Sequence, residues 1–304
     1  MLKVLNRPAL ACVIVGLLRG AHAIADAPET PLARVEGRRV GHLVFFEVRV
    51  NGQGPFWFCV DTGARHTIID ASLARELGLE VVKKGTTGGT GESEVPIETA
   101  KPLAVDLGSL KLRVLEPWVI DMSQVPIPRW TRGLVGAEFF ESFVVELDPE
   151  TPSLTFYAPE AYRKLPQSTA LPLTLDDHRL FIPATIDANE KKSVQRQLRV
   201  DTGSEDSVAD EVMKDGFNVR KTVLGHGLGK DYEGVSGQVL AVHLGPFAFT
   251  RVWGPAVPRP TIGMELLFRF TLIFDAPHGL LHVVPNSHLA DPIPAPGSEG
   301  VPRD

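Results

Sequence analysis

The stretch Phe58-Cys59-Val60-Asp61-Thr62-Gly63-Ala64 occurs a second time as Leu198-Arg199-Val200-Asp201-Thr202-Gly203-Ser204. In each copy, a run of strand type ends at an aspartate that is followed by a Thr-Gly turn. A single Asp-Thr-Gly is weak support for a site, because one copy arises by chance in about a few per cent of chains this long. Two copies, separated by almost half the chain, predict two related lobes that each contribute one aspartate.

The repeat extends well beyond the two aspartates. Gly136 and Gly263 open segments that match each other position by position, and each segment reaches an aspartate, Asp148 or Asp275, twelve residues later. A repeat this long is unlike that of a solenoid, whose units are about 20–50 residues. We therefore interpret the chain as two homologous lobes.

The composition fits a globular β protein with two domains. A chain of 304 residues has enough material for two hydrophobic cores, and 43% of its residues are hydrophobic. The 28 glycines and 25 prolines favour short strands joined by turns. A net charge of −6, without any basic patch, argues against nucleic acid as a partner.

The first 25 residues have the pattern of a cleavable signal peptide. Lys3 and Arg7 precede an apolar run over residues 8–18, and small residues that suit cleavage follow. This run is shorter than the roughly 20 residues that span a bilayer, so we expect no stable membrane insertion. The sequence predicts a secreted or periplasmic protein, with a membrane-anchored form as the less favoured alternative. Cleavage leaves Cys59 as the only cysteine, which excludes an internal disulfide.

The domain boundaries follow from the repeat and from the Pro-rich segments. We predict a signal peptide (1–25), an exposed N-terminal leader (26–41), an N-terminal lobe (42–158), a linker (159–177), a C-terminal lobe (178–285) and a disordered tail (286–304).

Local patterns place the first aspartate at the end of a hairpin. Leu43–Val50 alternates as a strand, Asn51-Gly52 is a strong hairpin signal, and Phe56–Val60 returns to Asp61. Asp70 is the predicted N-cap of a helix over residues 71–77, which Gly78 ends.

A glycine-rich stretch follows each aspartate at a similar distance, over residues 85–91 and 225–229. A plain loop would account for either stretch alone, but the recurrence favours a mobile hairpin over the aspartates. Neither stretch has the Gly-Lys-Ser/Thr of a phosphate-binding loop. The candidate flap and substrate-binding residues are Gly88, Gly89, Thr90, Gly227 and Leu228.

Two aspartates in equivalent loops suggest acid-base chemistry. Two carboxylates held against each other do not both ionise easily, so Asp61 and Asp201 would share a proton. The charged carboxylate can take a proton from a water molecule, while the protonated one donates to the carbonyl oxygen that this water attacks. No metal or other cofactor is needed for this hydrolysis.

The doubled Asp-Thr-Gly with the later glycines resembles the aspartic proteases of pepsin and retroviral-protease type, over about residues 43–284. The overall pattern is closer to bacterial single-chain, two-lobed, retroviral-type proteins. The resemblance implies an all-β, bilobal pepsin-like acid protease fold with short helices and the active site at the lobe interface. It also implies an aspartic endopeptidase that acts on a peptide or protein substrate. Because both lobes belong to one chain, we expect a monomer.

The resemblance assigns Asp61 and Asp201 as catalytic and gives roles to their neighbours. Thr62 and Thr202 would hydrogen-bond into the opposite loop, and Gly136 and Gly263 would pack behind the two loops. The supporting loop residues are Thr62, Gly63, Ala64, Thr202, Gly203 and Ser204.

The difference between Ala64 and Ser204 leads to a further hypothesis. A Ser204 hydroxyl that donates to Asp201 would favour the charged form of that carboxylate, whereas Asp61 has no such donor. Asp61 would then carry the shared proton more often.

An alternative function and the roles of some other polar residues also have to be considered. A catalytically silent peptide-binding or scaffold protein of the same fold is the alternative function. We interpret Glu138 and Glu265 as caps of short helices. His278 and His282 are four residues apart, but Pro277 prevents a regular helix between them, so a metal site is not favoured.

Overall fold

The computed structural model describes residues 30–88, 94–123, 125–225 and 228–294, and strands dominate these ranges. The strands of the first half are β1 (Ala33–Glu36), β2 (Arg38–Val40), β3 (Leu43–Val50), β4 (Gln53–Val60), β5 (Ile68–Asp70), β6 (Val81–Gly88), β7 (Glu94–Ala100), β8 (Leu103–Leu107), β9 (Leu110–Val114), β10 (Trp118–Ile120), β11 (Thr131–Val135), β12 (Val144–Asp148) and β13 (Ser153–Tyr157).

The second half repeats this organisation. Its strands are β14 (Thr169–Pro172), β15 (Thr174–Asp176), β16 (Arg179–Asn189), β17 (Lys192–Asp201), β18 (Val208–Ala209), β19 (Phe217–Leu224), β20 (Tyr232–Leu244), β21 (Phe247–Pro255), β22 (Thr261–Gly263), β23 (Phe270–Asp275) and β24 (Leu280–Pro285). The short helices are α1 (Ala71–Glu76), α2 (Glu138–Ser142) and α3 (Met264–Leu267), with 3₁₀ turns at Glu211–Asp215 and Ala276–His278.

The strands form three sheets. A ten-stranded sheet, in the order β6-β7-β10-β5-β11-β4-β3-β8-β9 with β2 paired to β3, makes up the N-lobe. An eight-stranded sheet, in the order β18-β22-β17-β16-β20-β19 with β15 on β16 and β21 on β20, makes up the C-lobe. The third sheet joins strands of both halves, in the order β1-β13-β12-β23-β24-β14. The all-β, bilobal pepsin-like fold predicted from the sequence is confirmed.

The local elements around the first aspartate are those that the sequence predicts. β3 alternates buried and exposed residues in its second half, and Asn51 and Gly52 take positive φ values of 50° and 77°, as a tight hairpin turn requires. The Asp70 carboxylate accepts a hydrogen bond from the Ser72 backbone N–H at 2.9 Å and so caps α1. α1 ends one residue earlier than predicted.

The sheet shared by the lobes brings the two repeat copies side by side. β12 pairs with β23 in antiparallel register, with Val145 opposite Phe274 and Leu147 opposite Leu272. Antiparallel pairing of two equivalent strands is what a twofold axis between the lobes requires. The sheet therefore fixes how the lobes, and with them the two aspartates, face each other.

The same sheet corrects two predicted boundaries. Residues 33–36 belong to the predicted exposed leader but form β1, because Ala33 pairs with Phe156 and is itself buried. Residues 169–172, within the predicted linker, form β14 on β24. Both strands pair with partners more than 100 residues away in sequence, which local patterns do not reveal.

The predicted disordered tail is corrected in its first part. Residues 286–294 lie against the C-lobe, because the buried Arg269 guanidinium donates to the carbonyl oxygens of Asp291 and Pro292 at 3.2 and 3.3 Å. Asn286 also donates to the Phe268 carbonyl at 2.7 Å. The rest of the tail and the predicted signal peptide lie outside the described residues.

The hydrophobic core runs through both lobes and reaches the two aspartate loops. Phe139, Phe140, Leu266, Leu267 and Phe270, which the matching repeat segments contribute, are all buried. Burial of a side chain of this size contributes about 1.5–3 kcal/mol. No helix in the described ranges has the length and hydropathy needed to cross a bilayer.

Candidate active site

Asp61 lies at the start of a loop that connects two strands of the N-lobe sheet, and a third strand lies between these two. β4 ends at Val60, and β5 begins at Ile68. β11 lies between them, parallel to β4 and antiparallel to β5. The Asp61 backbone N–H donates to the Val135 carbonyl of β11 at 3.0 Å, so the aspartate is anchored where the loop starts.

Asp201 is placed in the same way in the C-lobe. β22 lies between β17 and β18, again parallel to the first and antiparallel to the second. The Gly263 N–H donates to the Ser207 carbonyl at 3.0 Å. The sequence repeat is therefore also a repeat of topology.

Two threonines lock the loops together. The Thr62 hydroxyl donates to the Val200 carbonyl at 2.8 Å and accepts from the Thr202 backbone N–H at 3.1 Å. The Thr202 hydroxyl donates to the Val60 carbonyl at 3.0 Å and accepts from the Thr62 backbone N–H at 3.1 Å. Both side chains are buried, so these four bonds are shielded from water. They are the bonds that the family resemblance implies.

The glycine after each threonine makes room for the opposite carboxylate. A Cβ atom on Gly63 would lie 2.6 Å from Oδ1 of Asp201, and one on Gly203 would lie 2.5 Å from Cγ of Asp61. Contacts this short are not compatible with any side chain at these positions. Each aspartate therefore packs against the backbone of the other loop, and the structure brings Asp61 and Asp201 together.

Each carboxylate is oriented by its own loop. Asp61 Oδ1 accepts from the backbone N–H groups of Gly63 and Ala64 at 2.8 and 3.1 Å. Asp201 Oδ1 accepts from the Gly203 N–H at 3.1 Å. These bonds hold one oxygen of each carboxylate in a fixed position.

The pKa of Asp61 is raised to about 8. Burial is the main cause, and the neighbouring charge of Asp201 comes second, while the charge of Arg199 acts in the opposite direction. The raised pKa favours the protonated form of Asp61, which is the direction that the sequence hypothesis predicts.

The group next to Asp201 is Arg199, not the Ser204 hydroxyl. The Arg199 guanidinium donates to Asp201 Oδ2 at 2.8 Å, and both side chains are largely buried. The Ser204 hydroxyl instead accepts from the Asp206 backbone N–H at 3.2 Å, and no bond joins it to Asp201 within the described ranges. The predicted serine bond is wrong, because the Ser204 side chain turns back to its own loop.

The later glycines pack behind the loops, as the resemblance implies. A Cβ on Gly136 would lie 2.5 Å from the Thr67 backbone nitrogen, and one on Gly263 would lie 2.5 Å from the Asp206 carbonyl oxygen. Each glycine therefore allows the end of a strand, β11 or β22, to pack directly against the backbone of an aspartate loop.

The interpretation of the two glutamates as helix caps is wrong. α2 and α3 have no side-chain cap. Glu138 instead accepts from the Thr67 backbone N–H at 2.8 Å, so it supports the end of the Asp61 loop from outside. Glu265 lies 3.3 Å from Arg269 and 3.4 Å from His42.

Two hairpin tips cross between the lobes and contact the aspartate loops. His42, between β2 and β3, donates from its backbone N–H to Glu205 at 3.2 Å. Asp177, between β15 and β16, binds Arg65. Arg65 and Glu205 occupy equivalent positions four residues after the aspartates, so the two crossings are related by the repeat but opposite in charge.

The glycine-rich stretches belong to two hairpins, β6–β7 and β19–β20. Gly88, at the end of β6, lies against the Arg259 guanidinium of the C-lobe, and Leu228 is half-buried against the core. The predicted flap residues Gly89, Thr90 and Gly227 lie outside the described residues.

Sequence reasoning missed Arg199 as a site residue. A strand alternates its faces, so a residue two positions before an aspartate lies on the same face as that aspartate. The signal was therefore present in the charged Arg199 of an otherwise apolar run. Its counterpart Cys59 is buried, and burial raises the pKa of its thiol well above the ordinary value.

The histidine pair singled out in the sequence lies away from the aspartates. His278 and His282 both approach Asp275, at 2.6 and 3.6 Å. Among the residues that the structure describes, no group of three or more His, Cys, Asp or Glu side chains is arranged to hold a metal ion.

Comparisons with known proteins give a family match in the first lobe. A family model described as aspartyl protease matches residues 46–139, a stretch that contains Asp61 and ends in α2. Among solved structures, the chain is similar to the crystal structure of Basic 7S globulin from soybean, with 14% identity and a TM-score of 0.46, over 84% of this chain and 95% of that chain. No curated protein sequence matches.

The fold and the paired loops define the class of the protein. Two β lobes, each with an Asp-Thr-Gly loop locked to the other, form an aspartic-protease-like fold, and the family match over the first lobe supports this assignment.

Proposed function

We propose that the protein is an aspartic endopeptidase that hydrolyses peptide bonds with Asp61 as the acid and Asp201 as the base. The observation that carries this proposal is the reciprocal packing of the two carboxylates against Gly203 and Gly63. A silent relative would have no need of this costly arrangement, in which two carboxylates are held against each other.

The surroundings of the two carboxylates support this division of roles. Asp61 has a pKa of about 8 and carries a proton at neutral pH, so it can donate to the carbonyl oxygen of the substrate. Asp201 lies against the Arg199 guanidinium, which donates to its Oδ2 at 2.8 Å. It can accept a proton from the water molecule that attacks the carbonyl carbon.

In the mechanism we propose, the C–O bond to water forms as the water proton moves to Asp201 and the Asp61 proton moves to the carbonyl oxygen. Collapse of the tetrahedral intermediate then breaks the C–N bond. The amine leaves with the proton held by Asp201, and Asp61 recovers its proton from the intermediate. Both carboxylates return to their starting state, as hydrolysis requires.

A second candidate function is peptide binding without cleavage. The observation that favours it is the Arg199–Asp201 ion pair, since a guanidinium on one oxygen weakens the carboxylate as a base. Peptide binding would then use the surface at the two aspartate loops.

The test is hydrolysis of a mixed peptide library from pH 4 to 9 by the wild type, Asp61→Asn and Asp201→Asn. We expect cleavage near neutral pH and a loss of about a thousandfold or more in each variant. Asp148→Asn serves as the matched control, because Asp148 also recurs in the repeat but caps a turn. Cleavage that survives in both site variants would contradict the mechanism. Folded wild type without cleavage at any pH would favour the binding module.

We also propose that the protein acts outside the cytoplasm as a monomer. The signal-like composition of residues 1–25 supports export, and the presence of both aspartates in one chain supports a monomer. N-terminal sequencing of the exported protein should begin near residue 26, and light scattering should give the mass of a single chain. An intact N-terminus or a stable dimer would contradict these two proposals.

A further inference from the structure

A group of arginines lies beside the aspartate pair. Arg199 donates to Asp201 Oδ2 at 2.8 Å. Arg179 donates to Asp177 Oδ2 at 3.2 Å, and Arg65 binds the same oxygen. The positive charges of these three side chains therefore lie around the two carboxylates Asp177 and Asp201.

Strand register places Arg179 and Arg199 on the same face as Asp201. Phe181 of β16 lies opposite Arg199 of β17, and Arg179 precedes Phe181 by two residues. Val200 and Leu180, the residues between, point into the core. Since strand side chains alternate, Arg179, Arg199 and Asp201 share the face that looks away from the core.

The positive charge of this group exceeds the negative charge that balances it. Across residues 30–88, 94–123, 125–225 and 228–294, the carboxylates in ion-pair contact with Arg65, Arg179 and Arg199 are Asp177 and Asp201. The pKa of Arg179 is lowered by burial first and then by the charges of Arg65 and Arg199.

Arg199 also keeps donors that have no partner. A guanidinium has five N–H donors, and the bond to Asp201 uses one of them. Its Nε is buried and lacks a hydrogen-bond partner in the described part of the chain. A buried donor without a partner is costly, and an incoming acceptor would remove that cost.

We propose that Arg179 and Arg199 form an anion-binding subsite that takes a carboxylate of the substrate next to the scissile bond. This inference rests on the proposed function, because the scissile bond is placed at the aspartate pair. The carboxylate is either the side chain of an Asp or Glu residue or the C-terminus of the peptide. Two arginines suit this ligand, since a guanidinium matches a carboxylate with paired hydrogen bonds.

The subsite is confined to one side of the scissile bond. The residue equivalent to Arg199 in the N-lobe is Cys59, which is uncharged and buried. A peptide lying across both lobes would thus meet Arg199 on the C-lobe strand that ends at Asp201, and an uncharged residue at the equivalent position of the N-lobe strand that ends at Asp61. The preference for a carboxylate should therefore appear at one of the two flanking positions.

The test is equilibrium binding of uncleavable hydroxyethylene peptides of about eight residues, measured by calorimetry. One set carries Glu, Gln or Lys on either side of the isostere, with an amidated C-terminus. A second set ends directly after the isostere, with a free acid or an amide. In the wild type we expect a carboxylate to improve binding about tenfold over its neutral counterpart, at one flanking position or at the free C-terminus. The set that responds identifies the source of the carboxylate.

The variants Arg179→Gln, Arg179→Lys and Arg132→Gln complete the design. Arg179→Gln should reduce the preference to less than about threefold, and Arg179→Lys should keep part of it because the charge remains. Arg132 is the matched control, with similar exposure and one carboxylate partner, Glu76, at 2.7 Å. Its substitution should leave the tenfold preference unchanged.

Several results would overturn the subsite. These are equal affinity for the charged and neutral peptides of both sets, no binding of any peptide, or a preference that persists in Arg179→Gln. Because binding is measured without hydrolysis, a wild type that cleaves nothing leaves this test intact. Conversely, cleavage of Gln and Glu peptides at equal rates, together with equal binding, would reject the subsite and keep the proposed function.

Discussion

The loop that follows Asp61 and the loop that follows Asp201 share their backbone bonds and differ in their charges. In both loops a threonine hydroxyl bridges to the other lobe, and a glycine makes room for the opposite carboxylate. The charges differ in the strand that leads into each loop. Two positions before the aspartate, this strand has Cys59 in the N-lobe and Arg199 in the C-lobe.

This comparison separates two requirements of the site. Holding two carboxylates together needs a symmetric scaffold, because each loop has to satisfy the other's buried polar groups. Giving the two carboxylates different protonation states needs asymmetry, since identical surroundings would leave the proton equally shared. Here the scaffold is symmetric, and Arg199 supplies the asymmetry on one side only.

The largest expected effect comes from filling the space between the loops. Gly63→Ala and Gly203→Ala would each push a methyl group into the opposite carboxylate, so we expect hydrolysis to fall about a hundredfold or more in both variants. Asp148→Asn, which lies outside the paired loops and caps a turn, is the control. Peptide hydrolysis measures the effect. Wild-type activity in either variant would show that the packing is not reciprocal.

The next effect is on stability and tests the symmetry of the lock. Thr62→Val and Thr202→Val each remove two buried hydrogen bonds to the other loop. We expect the free energy of unfolding to fall by about 2–4 kcal/mol in each variant, and to a similar extent in both. Denaturant unfolding measures this loss, and Thr→Ser variants, which keep the hydroxyl, should lose much less. A large difference in the free energy of unfolding between the two Val variants would show that the threonine hydrogen bonds do not contribute symmetrically.

The sequence predicts the symmetric part of this comparison well. Asp-Thr-Gly, the later glycines and the capped helix at Asp70 all depend on residues close in the chain or on the repeat itself, so they can be recognised without coordinates. The hairpin turn at Asn51 follows from the same kind of local preference.

The sequence predicts the asymmetric charges and the sheet shared by the two lobes less well. β1 pairs with β13 across more than 100 residues, and a short edge strand leaves a weak pattern. The contact of Glu138 with Thr67 depends on the return of β11 to the Asp61 loop, a long-range arrangement. Arg199 stood in the sequence as a charge in an apolar strand, but only the structure shows that it binds Asp201.

A smaller effect, on pH dependence, tests the source of the asymmetry. Arg199 lowers the proton affinity of Asp61, whose pKa is about 8, so Arg199→Gln should raise that pKa further. The limb of the pH–rate profile that reports Asp61 should therefore move to higher pH, by about one unit. Arg199→Lys should move it less. Superimposable profiles for wild type and Arg199→Gln would show that the arginine does not set the roles.

The smallest expected effect concerns the other difference between the loops, Ala64 against Ser204. The Ser204 hydroxyl bonds to the Asp206 backbone N–H rather than to Asp201, so Ser204→Ala should shift the pH–rate profile by less than about 0.3 units. The variant should lose less than about 0.5 kcal/mol of stability, because the Asp206 donor is exposed and water can replace the lost acceptor. Ala64→Ser tests the same point in the N-lobe and should also leave the profile in place. A shift in Ser204→Ala as large as that in Arg199→Gln would mean that the serine, and not only the arginine, distinguishes the two aspartates.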